Sequence, residues 1–208
     1  ENKMDAIIAS SIMHELYSYA NEEYNEEAYS KDSILHFMQQ AYDSLKPGGI
    51  LILKDPATAA ADAYEPIRIC NANKTDGEYP PIENEEELKN ADITKLCTYD
   101  KLKRFCMDFY PAKGQTEFNQ NDECVMPRWL ITEFARHRKW LATPENWAYE
   151  IKENYGTLRP DEMNNFAQKT GFNVIKVENI SIPDSNNIYA IKDGEFELKD
   201  SNGNNLTM

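Results

Sequence analysis

The chain has 208 residues, of which 41% are apolar and 28% are charged, as in an ordinary folded protein rather than a disordered one. A formal net charge of -14 disfavours a nucleic-acid partner, because binding to a phosphate backbone depends on clustered Lys and Arg. The longest apolar runs are far shorter than the roughly 20 residues that cross a bilayer, so no membrane partner is expected.

Four cysteines are spaced irregularly and form no CxxC pair: Cys70, Cys97, Cys106 and Cys124. This spacing predicts neither a zinc site nor a redox-active pair. The first residues, ENKMDAIIASS, have no basic region and no small-residue cleavage pattern, so they do not read as a signal peptide. We therefore expect reduced structural thiols, no bound metal and a cytoplasmic location.

The beginning of the chain predicts a strand followed by a helix. Residues 5–12, DAIIASSI, form a short continuous apolar run that is typical of a strand buried on both faces of a parallel sheet. Apolar side chains then recur at helical spacing over residues 31–45, and Ser30 or Asp32 is available as the N-cap.

The sequence LKPGG predicts the end of this helix and a turn into a second strand. Pro47 prevents the helix from continuing and the two glycines permit a tight turn, after which residues 50–53 form another buried-type run. A right-handed crossover places the two strands of such a unit parallel and side by side, or nearly so.

Polar residues follow both of these strands and are candidates for a functional site. Parallel strands end at one edge of the sheet, where ligands of open α/β proteins bind. Ser10, Ser11 and His14 would therefore face the same crevice as Asp55. His14 is a candidate general base, since its pKa lies near neutrality, or a hydrogen-bonded structural residue. Asp55 either accepts a hydrogen bond from a substrate hydroxyl or amine or caps the turn before Pro56.

Residues 57–156 are too long for an ordinary connection and predict a largely helical insertion or lid subdomain. A short helix is expected in the acidic stretch EYPPIENEEELKNADI. Longer helices are expected over residues 99–109 and over residues 127–141, the second with Pro127 at its start.

The helix predicted over residues 127–141 forms a positive island on an acidic protein. Its basic residues are Arg128, Arg136, Arg138 and Lys139. Arg128 and Arg136 are candidates for binding an anionic group of a substrate, although basic residues on a surface helix are usually solvated or ion-paired. His137 shares an apolar helix face with Leu130 and Phe134, which favours a histidine at the edge of the core.

The remainder of the chain predicts a second α/β unit over residues 157–193. It should contain a helix that ends at Gly171, a strand through Val174 and Val177, and a partner strand in NNIYAIKD. A hairpin is the simplest arrangement of these two strands. Residues 194–208 are polar and are expected to form a flexible tail.

The order DAIIASSIMHEL, then a helix, then LKPGGILILKD resembles the fourth and fifth strands of class I S-adenosylmethionine-dependent methyltransferases. A closing helix and an antiparallel strand pair also occur in that family, so the resemblance covers roughly residues 1–56 and 157–193. It implies an α/β fold in which the fourth to seventh strands of a Rossmann-like methyltransferase sheet are interrupted by the insertion. It also implies S-adenosylmethionine as cofactor and a small-molecule or protein methyl acceptor.

The resemblance also assigns roles to individual residues. Groups near the end of the fourth strand touch the methionyl end of the cofactor in this family, which implies that Ser10 and Ser11 bind the cofactor. The alternative is that these hydroxyl groups only cap the end of the strand by bonding the backbone. His14 and Asp55 are then the candidate catalytic residues, and Glu15 at the crevice rim is a candidate substrate contact. The sequence SSIMHE lacks the Asn-Pro-Pro-aromatic motif of enzymes that methylate base amines, which further disfavours a nucleic-acid substrate.

Two features of the family have no counterpart here: the glycine-rich cofactor loop and the acidic residue that holds the ribose. We therefore expect an enzyme whose cofactor-binding N-terminal half lies outside this chain or on a partner chain. The chain alone should bind the cofactor poorly and be inactive. The alternative is a methyltransferase-like module that binds or regulates a partner without chemistry.

Overall fold

The computed structural model describes residues 3–19, 27–58, 65–70, 73–112, 115–118, 123–180 and 195–206. This part of the chain has a mixed α/β fold with short strands and several helices. The chain divides into two compact units, the first comprising Glu1–Ala60 and Glu153–Ser181 and the second comprising Ala61–Lys152 and Ile182–Met208.

The first unit is built around two parallel strands. Its elements in chain order are β1 (Met4–Ser10), α1 (Met13–Ser18), α2 (Lys31–Ser44), β2 (Leu45–Lys54) and a later helix, which we call α7 (Pro160–Lys169). Strands β1 and β2 pair in parallel, with Ala6 opposite Ile50 and Ser10 opposite Lys54. The predicted parallel neighbours are therefore confirmed.

Helix α2 confirms the prediction for residues 31–45. The Ser30 hydroxyl accepts the backbone N–H of Asp32 at 3.2 Å, which satisfies one of the donors left unpaired at a helix start. Leu45 is already the first residue of β2, so the LKPGG sequence forms the beginning of the strand rather than a separate turn. Gly48 has a φ of 79°, a conformation that glycine adopts without steric cost.

Only one face of the β1–β2 pair is covered among the residues described. Ala9 packs on that face with Ile34 and Met38 of α2. On the other face Ile8 is 73% exposed, and Ile50 and Ile52 are 51% and 50% exposed. The prediction of burial on both faces is wrong for this part of the chain, because α1 and α2 can shield only one side of the ladder.

The closing helix is confirmed, whereas the strand after it is not. Helix α7 ends before Gly171, whose φ of 96° suits a glycine, and the Lys31 ammonium lies 2.7 Å from the Glu162 carboxylate, which links α2 to α7. Val174 and Val177 lie in no strand. A strand needs a ladder partner, and no backbone hydrogen bond within the described ranges involves residues 173–180. The predicted partner NNIYAIKD lies outside those ranges.

The second unit contains an antiparallel sheet in addition to its helices, and this sheet was not part of the prediction of a largely helical insertion. Its strands are β3 (Pro66–Cys70), β4 (Glu117–Phe118), β5 (Cys124–Pro127) and β6 (Glu197–Lys199), in the spatial order β4-β5-β3-β6. Strand β3 pairs antiparallel with both β5 and β6. These strands are too short to show a clear alternation of apolar and polar residues, and their partners are distant in sequence.

Helices complete the second unit. They are α3 (Glu85–Asn90), α4 (Thr98–Asp108), α5 (Arg128–His137) and α6 (Pro144–Glu150), with a 3₁₀ turn at Tyr110–Ala112. The three helices predicted in this region are confirmed as α3, α4 and α5. Pro127 is the N-cap of α5 and ends β5, so the strand runs directly into the helix.

The end of the chain is part of the second unit's core rather than a flexible tail. Leu198 of β6 is buried, and Phe196 contacts the Phe134 ring edge-on. The prediction of a tail over residues 194–208 is therefore wrong for residues 195–206. The pairing of β6 with β3 joins this segment to the sheet of the second unit.

No helix in the described ranges is long and apolar enough to cross a membrane.

Phe105 should contribute strongly to the stability of the second unit. It is fully buried and stacks on Phe109 with ring centroids 4.6 Å apart. We expect Phe105→Ala to lower the free energy of unfolding by about 3–5 kcal/mol, because it removes a large buried ring and leaves a cavity. Tyr149→Ala, at a helix residue that is 66% exposed, is the control and should change it little. Urea unfolding of both variants measures the difference, and equal losses would contradict the assigned core.

Candidate functional site

The Asp55 carboxylate lies at the start of α1, directly after β2. One oxygen accepts the backbone N–H groups of Ile12 and Met13 at 2.8 and 2.9 Å, and the other accepts the N–H of His14 at 3.3 Å. The first N–H groups of a helix have no partner within it, and a negative charge is favourable there. Asp55 therefore caps α1 and joins it to the end of β2.

The same carboxylate also contacts the His14 side chain. Nδ1 of His14 lies 2.9 Å from an Asp55 oxygen, and both side chains are buried, with 7% and 3% of their surface exposed. An ionised carboxylate only accepts hydrogen bonds, so Nδ1 must carry a proton. In neutral His14 the other ring nitrogen, Nε2, is then the acceptor.

The His14 ring is also held from a distant part of the chain. The ring of Tyr155 meets it edge-on with centroids 4.9 Å apart. The Ser18 hydroxyl donates to the His14 carbonyl at 2.6 Å and accepts the backbone N–H of Asn154 at 2.8 Å. Tyr155 and Asn154 were not found by sequence reasoning, because no local pattern connects them to α1.

Burial and nearby charges act in opposite directions on the His14 pKa. Burial lowers it, since the charged form loses water, but the hydrogen bond and the charge of Asp55 raise it. The charges of Glu153 and Glu15 raise it further. The net effect is a pKa above the ordinary value of 6.5.

The structure brings the other candidates of the first unit to the same strand edge. The Ser11 backbone N–H donates to the Lys54 carbonyl at 2.7 Å, one residue before Asp55. Ser10 and Ser11 are exposed, and Ser11 has a φ of 55°, which is uncommon for a residue other than glycine. Glu15 is exposed in the first turn of α1. The roles assigned to these residues stay predictions.

The basic residues of α5 lie in the second unit and have acidic partners there. Arg136 donates to the nearly buried Glu133 carboxylate at 2.7 Å, and Arg138 makes two hydrogen bonds to Glu195 at 2.6 and 2.7 Å. Arg128 begins the helix. Ion pairing of this kind was the structural alternative to substrate binding for the basic residues of this helix. The substrate roles of Arg128 and Arg136 stay predictions.

His137 differs from His14 because it lies inside a packed core. It is fully buried beside the rings of Phe105 and Phe109, and its Nδ1 lies 2.7 Å from the Glu133 carbonyl oxygen. The predicted apolar face of α5 is confirmed, with Leu130 and Phe134 also buried. His137 was expected at the edge of the core, but it lies inside the core, and this location favours a structural role.

The four cysteines are free and buried. Burial raises the pKa of Cys97 to about 11 and that of Cys106 to about 12, and it also raises the pKa of Cys70 and Cys124. Thiolates, the reactive form, are therefore scarce near neutral pH. Within the described ranges, no group of His, Cys, Asp and Glu could hold a metal ion.

A separate open groove of about 380 Å³ lies on the first unit. It is lined by Pro160, Asp161, Asn164 and residues 174–177. None of the candidate residues lines it, so it adds nothing to the site around His14.

No family model, no curated protein and no solved structure matches this chain.

The raised pKa of His14 predicts a pH dependence of stability. Protonation of a group whose pKa is higher in the folded protein stabilises the fold fully below about pH 6.5, and this contribution is lost as the pH rises through the folded pKa. We expect the free energy of unfolding to fall over that interval in the wild type. In His14→Asn, which keeps an N–H donor but cannot titrate, this component should be absent.

Denaturant unfolding at a series of pH values measures this effect. His36→Asn is a matched control, because it removes a histidine from α2 and leaves the contact between His14 and Asp55 in place. An unchanged pH dependence in His14→Asn would contradict the assigned ion pair.

The buried thiols should react slowly in the folded protein. We expect a thiol-specific reagent such as dithionitrobenzoate at pH 7.5 to label the native chain far more slowly than the urea-unfolded chain, because burial removes both access and thiolate character. Absorbance at 412 nm follows the reaction. Rapid labelling of any cysteine in the native chain would contradict the finding that this cysteine is buried.

Proposed function

We propose that this chain is the C-terminal part of a class I S-adenosylmethionine-dependent methyltransferase that acts on a small-molecule or protein nucleophile. The observation that carries the proposal is the parallel β1–α2–β2 unit with Ser11, His14 and Asp55 together at its carboxyl edge. Ligands of open α/β sheets bind at this edge, which supports a catalytic site there.

The residues at this edge fit one side of the cofactor site. Ser10 and Ser11 are exposed and offer hydroxyl groups that suit the charged amino-acid end of S-adenosylmethionine. When bound, the cofactor supplies an electrophilic methyl group. The chain's own residues would hold the methionyl end through Ser10 and Ser11 and align the acceptor near His14, and such alignment contributes much of the rate in methyl transfer.

The exposed sheet face supports the need for a further part of the enzyme. Parallel sheets are almost always covered on both faces, whereas Ile8, Ile50 and Ile52 lie on a face without cover among the described residues. In the proposed enzyme an N-terminal half or a partner chain covers this face and brings the glycine-rich cofactor loop.

A binding or regulatory module without chemistry is the second candidate function. The geometry of Asp55 favours it, because both carboxylate oxygens are engaged in capping α1 and holding His14. Under this alternative the pair is structural, and the exposed face around Ile8 is an interaction surface. Binding of the cofactor discriminates between the two functions.

We also infer a cytoplasmic location. Four buried cysteines without a disulfide suit a reducing compartment.

Isothermal calorimetry with S-adenosylmethionine tests the proposed enzyme. We expect little binding by the 208-residue chain and clear binding by a polypeptide that includes the proposed N-terminal half. In that polypeptide, Ser10→Ala and Ser11→Gly should each weaken binding about tenfold or more, since a hydrogen bond to a charged group contributes about 1.5–3 kcal/mol. Glycine at residue 11 tolerates the positive φ.

Ser201→Ala is the control, at an exposed turn of the second unit, and should leave the affinity unchanged. A longer polypeptide that binds no S-adenosylmethionine would overturn the enzyme proposal in favour of the binding module.

A further inference from the structure

His14 and Asp55 are buried, although residues beside them on the same strand edge are exposed. Only 7% of the His14 side chain and 3% of the Asp55 side chain are exposed to solvent. Ser10 and Ser11, at the end of β1, are both exposed. A ligand that binds at this edge therefore meets the serines directly, but it reaches little of the His14 ring unless covering residues move.

A short segment that follows α6 contributes to the cover over His14. Residues 153–158 belong to no helix or strand. The Tyr155 ring meets the His14 ring edge-on, with the two centroids 4.9 Å apart. Glu153, two residues earlier, is close enough for its charge to act on His14. This segment therefore lies against the imidazole and shields it from solvent.

The C-terminal end of this segment is fixed by apolar packing. Leu158 is buried and belongs to the core cluster that contains Met13 and Ile34. Its carbonyl also accepts the Thr58 N–H at 3.0 Å. Moving Leu158 out of this core would expose apolar surface to water, which is unfavourable, so we expect this end to stay in place.

The N-terminal end of the segment is attached to α1 through polar contacts. The Tyr19 hydroxyl donates to the Glu153 carboxylate at 2.9 Å, and the Asn154 N–H donates to the Ser18 hydroxyl at 2.8 Å. Neither hydrophobic cluster found among the described residues includes Tyr155. Water replaces hydrogen bonds that break, so each one contributes modestly to stability. This end should therefore separate from α1 more easily than Leu158 leaves the core.

One buried atom of the segment favours opening. Asn154 is only 8% exposed, yet its side-chain oxygen has no hydrogen-bond partner among the described residues. An unpaired buried acceptor is unfavourable, and water satisfies the acceptor once the segment opens. The closed arrangement is therefore held less tightly than one in which every buried polar atom is paired.

We propose that residues 153–156 form a lid over His14, which opens by local unfolding while Leu158 stays in the core. Segments with few buried apolar contacts open in this way without unfolding of the whole chain. In the closed state Tyr155 shields the imidazole, and in the open state a ligand at the strand edge contacts it. Such a lid goes beyond the proposed function, because it controls access to the edge in the enzyme and in the binding module alike.

Hydrogen exchange followed by NMR on the 208-residue chain tests whether the lid opens by itself. After division by the intrinsic rates, we expect the Asn154 amide to exchange at least about tenfold faster than the Met38 amide in the core of α2. Low concentrations of urea should speed exchange at Met38 and leave Asn154 nearly unchanged, since only a large opening exposes much surface. Equal protection and equal urea dependence of the two amides would overturn the lid.

Acylation of His14 by diethyl pyrocarbonate, located by mass spectrometry, tests whether the same motion exposes the ring. The reagent attacks the neutral imidazole, so the rates are compared at a pH where His14 is unprotonated. Relative to free N-acetylhistidine, His14 should be slowed by the same factor that protects the Asn154 amide, within about threefold. His137, fully buried in the second unit, is the internal control and should react far more slowly.

Two results of this labelling would contradict the lid. If His14 is protected as strongly as the Met38 amide, the ring becomes accessible only when the core of the first unit opens. If His14 reacts much faster than the Asn154 amide exchanges, the ring is already accessible in the closed state. Neither readout involves S-adenosylmethionine, so the lid is tested separately from the proposed enzyme function.

Two variants should shift the labelling of His14 in opposite directions. Ser18→Ala removes the acceptor of the Asn154 N–H and should speed labelling about tenfold, whereas Asn154→Leu removes the unpaired oxygen and should slow it by a similar factor. Asn146→Leu, at an exposed residue of α6, is the matched control and should change nothing. The same labelling rate in Ser18→Ala and Asn154→Leu would overturn the lid. If Ser18→Ala does not fold, Asn154→Leu and the wild-type comparison decide the outcome.

Discussion

The first unit depends on a single buried carboxylate. Asp55 is placed by the end of β2 and receives its donors from the start of α1 and from the His14 ring. An unpaired charge in such a place would cost several kcal/mol, so the fold retains it only because each oxygen is satisfied. The strand end, the helix start and the imidazole are thereby fixed relative to one another. A ligand bound at this edge would therefore meet the His14 ring in a fixed orientation.

Among the described residues, the parallel pair that positions Asp55 is covered on one face only. Helices α1 and α2 cover one face through Met13, Ile34 and Met38, and the opposite face exposes Ile8 and Ile52. Exposed apolar surface of this kind is costly for a parallel ladder and normally marks contact with another element. In the proposed methyltransferase, a further part of the enzyme would cover the apolar face and would complete the site at the polar edge.

The two buried histidines differ in their surroundings. His14 has a carboxylate at Nδ1 and further acidic groups around it, and their charges raise its pKa. His137 uses Nδ1 toward the Glu133 carbonyl oxygen and is enclosed by aromatic rings. Both lie on helices, so residue type and secondary structure alone do not distinguish them. The two histidines are distinguished by the side chains and carbonyl groups that other residues place beside them.

Local sequence determined the elements whose causes are local. The caps and apolar spacing of α2, the helices α4 and α7, and the parallel neighbours β1 and β2 were all predictable, because helix periodicity and crossover handedness act over short ranges. The tertiary structure alone decided the sheet of β3, β5 and β6, the contact of Tyr155 with His14 and the saturation of Asp55. Those features depend on hydrogen bonds and ring contacts between residues far apart in the chain, and no local pattern records which distant partner a short strand or a carboxylate will meet.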